Sequence, residues 1–132
     1  MKILLLGGGG REHALAWAIA ESPKCDKLYA APGNPGIAEL ATCVSLDIED
    51  GAAVAAFARD NGIDFVVIGP EAPLAAGVAD VLRDQGLLVF GPGREAARLE
   101  ASKSFTKEVC DACGAPTAVW ARFTEEAPAL AY

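Results

Sequence analysis

Short apolar runs alternate with longer mixed stretches along most of this chain. Three of the runs are KILLL at Lys2–Leu6, DFVVI at Asp64–Ile68 and LLVF at Leu87–Phe90, and a glycine follows each of them. Continuous apolar runs of this length are typical of strands that are buried on both faces of a parallel sheet. We therefore predict strands at these three places, with two weaker candidates at Lys27–Ala31 and Cys43–Leu46.

Stretches with helical character lie between these runs, at Glu12–Glu21, Asp50–Asn61 and Leu74–Gln85. The first is nearly all apolar and contains Trp17, so we expect this helix to be well buried. A glycine directly follows the second and third stretches and predicts the end of each helix. Strands that alternate with helices at this spacing predict an α/β fold, with a Rossmann-like parallel sheet flanked by helices.

The pattern changes in the last third of the chain. Two helical stretches, Arg94–Glu100 and Ser102–Cys113, follow each other directly, and Thr117–Phe123 is a candidate strand. Because nothing in the remaining sequence offers this strand a partner, we expect the chain to be part of a larger protein.

Composition restricts the possible partners. The 132 residues are 52% hydrophobic, which excludes an intrinsically disordered chain. Eleven basic and eighteen acidic residues give a net charge of −7, so we expect no nucleic-acid partner. Net charge still permits a local site in which backbone amides and one arginine bind a phosphorylated small molecule.

Targeting signals are absent from the sequence. The apolar run at the N-terminus is too short for a signal peptide, and no run of about 18 apolar residues exists to span a membrane. We therefore expect no membrane partner and a cytoplasmic location, where the four cysteines are free thiols. The alternative to free thiols is a redox motif, because Cys110 and Cys113 have the spacing of one. A zinc site is not expected, since the sequence contains a single histidine, His13.

A glycine loop carries the first chemical signal. Gly7–Gly10 follows the first predicted strand and opens the first predicted helix. Glycines let backbone N–H groups approach a phosphate closely, and a helix N-terminus adds partial positive charge. A dinucleotide fingerprint needs a third glycine where Glu12 or His13 stands, and no acidic residue follows Lys27–Ala31 to hold a ribose. We therefore predict a phosphate site that does not bind NAD.

Two charged residues follow this loop. Arg11 has the planar, bidentate geometry that suits a phosphate, although an exposed arginine without a ligand is the alternative. Glu12 is a candidate for holding a ribose hydroxyl, or it simply favours the first turn of the helix.

Five motifs then occur in a characteristic order: GGGGREHALAW at 7–17, APGNPG at 31–36, GPEAPLAAG at 69–77, FGP at 90–92 and LEASKSFTK at 99–107. Together they closely resemble the start of the phosphoribosylamine–glycine ligase family, which belongs to the ATP-grasp superfamily. The resemblance implies a pre-ATP-grasp, substrate-binding α/β domain at residues 1–100. It further implies that residues 101–132 are the truncated start of the ATP-grasp unit.

The resemblance also implies an activity and a set of ligands. Members of the family join 5-phosphoribosylamine and glycine, with ATP and Mg²⁺ or Mn²⁺, to give glycinamide ribonucleotide, ADP and phosphate. By this resemblance the substrate-binding residues are Gly8, Gly9, Gly10, Arg11, Glu12, Asn34, Gly36 and Glu71. Lys103 would contact ATP, although an exposed helix lysine without a ligand is the alternative. No catalytic residue and no metal ligand is expected within the chain, which we expect to be inactive alone.

Two other functions remain open at this point. One is the N-terminal domain of a different ATP-grasp ligase or carboxylase, against which the REHA and GPEAPL motifs argue. The other is a non-enzymatic nucleotide-binding module.

Overall fold

A five-stranded parallel sheet lies at the centre of the computed structural model, which describes residues 1–132. Its strand order is β3-β2-β1-β4-β5, so the chain begins at the central strand and winds outward in both directions. The strands are β1 (Lys2–Gly7), β2 (Lys27–Pro32), β3 (Thr42–Cys43), β4 (Phe65–Ile68) and β5 (Leu88–Phe90). This arrangement confirms the predicted Rossmann-like α/β fold.

Helices cover the sheet unevenly. They are α1 (Gly10–Ala20), α2 (Gly51–Asn61), α3 (Glu71–Ala76), α4 (Val78–Asp84), α5 (Arg94–Ala101), α6 (Lys103–Cys113) and α7 (Glu126–Ala131). Helices α2 to α5 bury one sheet face around Leu4, Leu6 and Val66, whereas α1 and a short 3-10 turn cover the other around Leu5. No helix covers that second face at β5, where Leu88 and Phe90 are exposed.

The helix predicted at Leu74–Gln85 is wrong in one respect, because the structure has two helices there. Gly77 separates α3 from α4 and has a φ of +89°, in the left-handed region. A residue in that conformation cannot continue a right-handed helix, and glycine adopts it without a steric penalty.

Three other expectations need correction. Thr117–Phe123 forms no strand, because the edge of the sheet is β5 and no other strand lies beside the segment. The strand at Cys43–Leu46 is shorter and lies at Thr42–Cys43. Trp17 is 59% exposed, because α1 faces the sheet through Ala16 and turns the tryptophan outward. A helix that is apolar on every side gives no pattern from which to predict its buried face.

None of the helices is both long enough and apolar enough to cross a membrane. All four cysteines are unpaired; Cys113 is exposed and the other three are partly buried.

Candidate phosphate site at the switch point of the sheet

The predicted glycine loop lies where the strand order reverses. Strands β1 and β4 are neighbours at the centre of the sheet, with Leu6 opposite Ile68. Their carboxyl ends lead into two loops, Gly7–Gly9 before α1 and Gly69–Pro70 before α3. Open α/β sheets bind ligands at this position, in the crevice beyond the strand ends.

The first loop presents a helix N-terminus with open space above it. Helix α1 begins at Gly10, and the first four N–H groups of a helix have no partner within it. Here the fourth, that of His13, bonds to the Gly9 carbonyl, which leaves the N–H groups of Gly10, Arg11 and Glu12 without a backbone partner. A Cβ on Gly10 would meet nothing within 4 Å, so this side of the loop is accessible. Gly9 has φ −83° and ψ −179°, which is ordinary extended backbone. Gly7 is the one residue of the loop with a positive φ, +123°, a conformation that glycine adopts without a steric penalty.

Glu12 occupies the interior of the site. It is the single buried charged residue of the chain, with 4% of its surface exposed. One carboxylate oxygen, Oε2, accepts a hydrogen bond from the Gly9 N–H at 2.8 Å, and Oε1 accepts one from Arg11 Nε at 2.9 Å. Both oxygens therefore have protein partners, and the carboxylate is directed into the loop rather than into the crevice.

Arg11 joins the two loops. Its Nη2 donates a hydrogen bond to the Gly69 carbonyl oxygen at 2.6 Å, while its Nε pairs with Glu12. The hydrogen bond and the charge of Glu12 raise the Arg11 pKa above its ordinary value, with smaller contributions from Glu100 and Glu71. The guanidinium is thus permanently charged, and 59% of the side chain is exposed. Its remaining N–H groups are available to a ligand.

A cleft of about 660 Å³ opens beside Arg11. The ends of β4 and β5 form one wall through Gly69, Phe90 and Pro92, and Glu100 of α5 also lines it. No sequence pattern indicates Glu100 as a site residue, because it lies in a helix far from the glycine loop along the chain.

Asn34 and Gly36 lie in the loop after β2 and support the glycine loop. The Asn34 side-chain amide donates a hydrogen bond to the Gly8 carbonyl at 2.8 Å, and its Oδ1 accepts one from the Ile37 N–H at 2.9 Å. A Cβ on Gly36 would lie 2.9 Å from Nδ1 of His13, so the imidazole packs directly over this glycine. Asn34 therefore contacts the glycine loop directly, whereas Gly36 packs against the His13 side chain of α1.

Glu71 is the first residue of α3 and is exposed at the rim. Its charge makes the smallest of the contributions that raise the pKa of Arg11, and Glu71 is not among the residues that line the cleft beside Arg11.

Lys103 lies apart from these residues, at the start of α6. It lines a second cleft of about 340 Å³ together with Lys107, Trp120 and Arg122. Lys107 is held there by hydrogen bonds to Thr117 and to the Ala118 carbonyl. Three cations thus share one cleft, and the sequence motifs point only to Lys103. The spacing of Lys103 and Lys107 on one helix face was the available signal.

A comparison with known families matches residues 1–100 to the phosphoribosylglycinamide synthetase N domain. The chain belongs to this family. Among curated relatives, the phosphoribosylamine–glycine ligase of Agrobacterium fabrum is 63% identical over all 132 residues, which are 31% of its own length. The chain therefore spans about a third of the length of the curated relatives that it matches.

Solved structures agree with the assignment to the phosphoribosylglycinamide synthetase N domain. The phosphoribosylamine–glycine ligase of Thermotoga maritima has a TM-score of 0.64 at 30% identity, covering 90% of this chain and 26% of that one. N5-carboxyaminoimidazole ribonucleotide synthetase from Thermus thermophilus has a TM-score of 0.59 at 23% identity, covering 87% of this chain and 31% of that one. The second likeness shows a shared fold alone.

The side chains of this N domain do not assemble a metal site. The 132 residues contain no group of three or more histidine, cysteine, aspartate or glutamate side chains that could hold a metal ion. Glu12, the one buried carboxylate, already has both oxygens hydrogen-bonded to protein groups. The residues present therefore do not form a site that holds a metal ion by protein side chains alone.

Proposed function

We propose that this chain is the N-terminal part of a phosphoribosylamine–glycine ligase and binds the phosphoribosyl group of its substrate. The main support for the proposal is the sequence identity of 63% to a ligase of that name, which extends over all 132 residues of the chain. The geometry of the switch point supports it, since free helix N–H groups and a charged arginine meet there.

The proposed ligand arrangement places the phosphate above Gly9 and Gly10. Arg11 would pair with the phosphate through its unused N–H groups, and Glu71 at the rim would face the ribose hydroxyls or the amine. Gly8, Asn34 and Gly36 would shape the loop from behind, as their contacts indicate.

The reaction proposed for the longer ligase activates a poor electrophile. Transfer of the ATP γ-phosphoryl group to glycine breaks the terminal phosphoanhydride bond and gives an acyl phosphate and ADP. The phosphoribosylamine nitrogen then attacks the acyl carbon, the amide bond forms and inorganic phosphate leaves. The contribution of this chain is to position the amine, and correct positioning accounts for much of the rate in such reactions.

The ATP assignment concerns residues 101–132. We propose that they begin the ATP-grasp unit and that Lys103 contacts the nucleotide phosphates. The presence of Lys107 and Arg122 in the same cleft supports a polyphosphate ligand, and Trp120 offers an aromatic surface beside it. We also propose a cytoplasmic location, where free nucleotides and reduced thiols are found.

A chimeric protein, called the joined protein from here on, tests the ligase activity. The first 132 residues of the Agrobacterium fabrum ligase would be replaced by this chain, and ADP release would be measured with glycine and freshly made phosphoribosylamine. We expect turnover that depends on both substrates. The same protein with Arg11→Ala is the matched control, and we expect its KM for phosphoribosylamine to rise. A folded joined protein without turnover would contradict the proposal.

The isolated chain gives a second test. We expect it to fold but to show no ligase turnover, because it offers no site at which glycine, ATP and metal are held together. Turnover by the 132 residues alone, above that of the Arg11→Ala variant, would show that the active site is misplaced.

Other functions predict different results. A ligase or carboxylase with another substrate would leave the joined protein inactive with phosphoribosylamine. A nucleotide-binding module would bind ATP through the Lys103 cleft with no affinity for ribose phosphates.

A further inference from the structure

Glu12 is buried at the point where both loops of the switch point meet, and its burial needs an explanation. An ionised carboxylate is costly to remove from water unless hydrogen bonds and an opposite charge compensate it. Here the Gly9 N–H and Arg11 Nε provide both, at 2.8 and 2.9 Å. The carboxylate is therefore satisfied entirely by protein groups, inside the proposed phosphate site.

The glycines around the site make room for this side chain. A Cβ on Gly69 would lie 2.6 Å from Cγ of Glu12, and a Cβ on Gly7 would lie 2.5 Å from the same atom. A Cβ on Gly9 would lie 2.8 Å from Oε2. Three glycines from two loops thus surround Glu12, whereas Gly10 alone faces open space. At these three positions the missing side chain accommodates Glu12 rather than a ligand.

We propose that Glu12 is a positioning residue, which orients the Gly9 loop and the Arg11 guanidinium for a phosphate without itself contacting the ligand. Its Oε2 fixes the peptide that begins α1, and its Oε1 fixes one edge of Arg11. The Gly69 carbonyl fixes a second N–H group of that arginine at 2.6 Å. The exposed edge of the guanidinium is then held towards the crevice, and its charge offsets that of the carboxylate behind it.

Glu12→Gln tests this arrangement with almost no change in size. An amide has one acceptor and one donor group, so it accepts a hydrogen bond from Gly9 or from Arg11 but not from both. The positioning role of Glu12 rests on the proposed function, which determines the choice of ligands. Glycinamide ribonucleotide and its dephosphorylated nucleoside are each titrated into the 132-residue chain in a calorimeter. We expect the affinity for the nucleotide to fall about tenfold or more, the scale of one charge-assisted hydrogen bond.

The affinity for the nucleoside distinguishes a positioning role of Glu12 from direct contact between Glu12 and the ligand. A phosphate-orienting role predicts that nucleoside affinity changes less than about twofold in the same variant. Equal losses for both ligands would place Glu12 against the ribose and overturn the proposal, and so would unchanged affinity for the nucleotide.

A ligand-free measurement keeps the test independent of binding and of the stability of the variant. In the unsubstituted chain, NMR-detected hydrogen exchange should be at least about tenfold slower for the Gly9 amide than for the Gly10 amide, because only the former has an acceptor. Equal exchange at both amides would overturn the role of Glu12. Absence of binding by the unsubstituted chain would instead contradict the proposed function, and the exchange rates would still decide the role of Glu12.

Discussion

The contact between Gly8 and the loop after β2 yields a sharp stability prediction for Gly8→Ala. A Cβ on Gly8 would come within van der Waals overlap of the Gly33 carbonyl oxygen and would lie 3.2 Å from its carbon. Both neighbours are backbone atoms, so no side chain can rotate away. The two loops must separate, which also strains the hydrogen bonds from Asn34 to the Gly8 carbonyl and from the Gly33 N–H to the Gly7 carbonyl.

The expected cost follows from these two effects. Overpacking of a tight site costs about 1–3 kcal/mol, and a weakened hydrogen bond adds about 0.5–1.5 kcal/mol. We expect the free energy of unfolding to fall by roughly 1.5–4.5 kcal/mol, measured by urea denaturation of the isolated chain.

Gly10→Ala is the matched control. It adds the same methyl group two residues away, where nothing lies within 4 Å, at the first position of α1. Alanine favours the helix over glycine there, so stability should be unchanged or rise by up to about 1 kcal/mol. If the two variants unfold at free energies within about 0.5 kcal/mol of each other, the close approach of the two loops is refuted.

Three further predictions concern binding and backbone conformation. Arg11→Ala should weaken glycinamide ribonucleotide binding by about 1.5–3 kcal/mol in calorimetry, with a smaller loss for the nucleoside; equal losses would show that the arginine supports the loop and not the phosphate. The chain should not bind NAD or NADP, and micromolar binding of either in the same calorimeter would argue against the phosphoribosyl assignment. Gly77→Ala should lower the free energy of unfolding by roughly 1–2 kcal/mol through its φ of +89° alone, since its Cβ would come no closer than 3.6 Å to Arg94; an unchanged urea midpoint would contradict that reasoning.

The sequence was sufficient to predict the central strands because their signal is continuous. β1 and β4 are buried on both faces, so nearly every residue in them is apolar and no face has to be chosen. The glycine loop was equally predictable, since a turn between a buried strand and a helix imposes strict limits on side chains.

Properties that depend on orientation were not predictable. The direction of Trp17 follows from the choice of Ala16 as the contact with the sheet, and an alanine-rich helix offers several equivalent choices. The burial of Glu12 depends on space provided by Gly69, which is distant along the chain and adjacent only after β1 pairs with β4. Long-range pairing of this kind leaves no local pattern.

The pairing of Leu6 with Ile68 has a consequence for how the chain selects its fold. It sets Gly7 beside Gly69, and these two residues leave the space that the Glu12 carboxylate fills. A shift of β4 by one residue would bring Ile68 or Pro70 to that place, and either side chain would displace a charged group that has no other buried partners. The native register of β1 and β4 is therefore the one that leaves room for the buried Glu12 carboxylate, with or without a ligand.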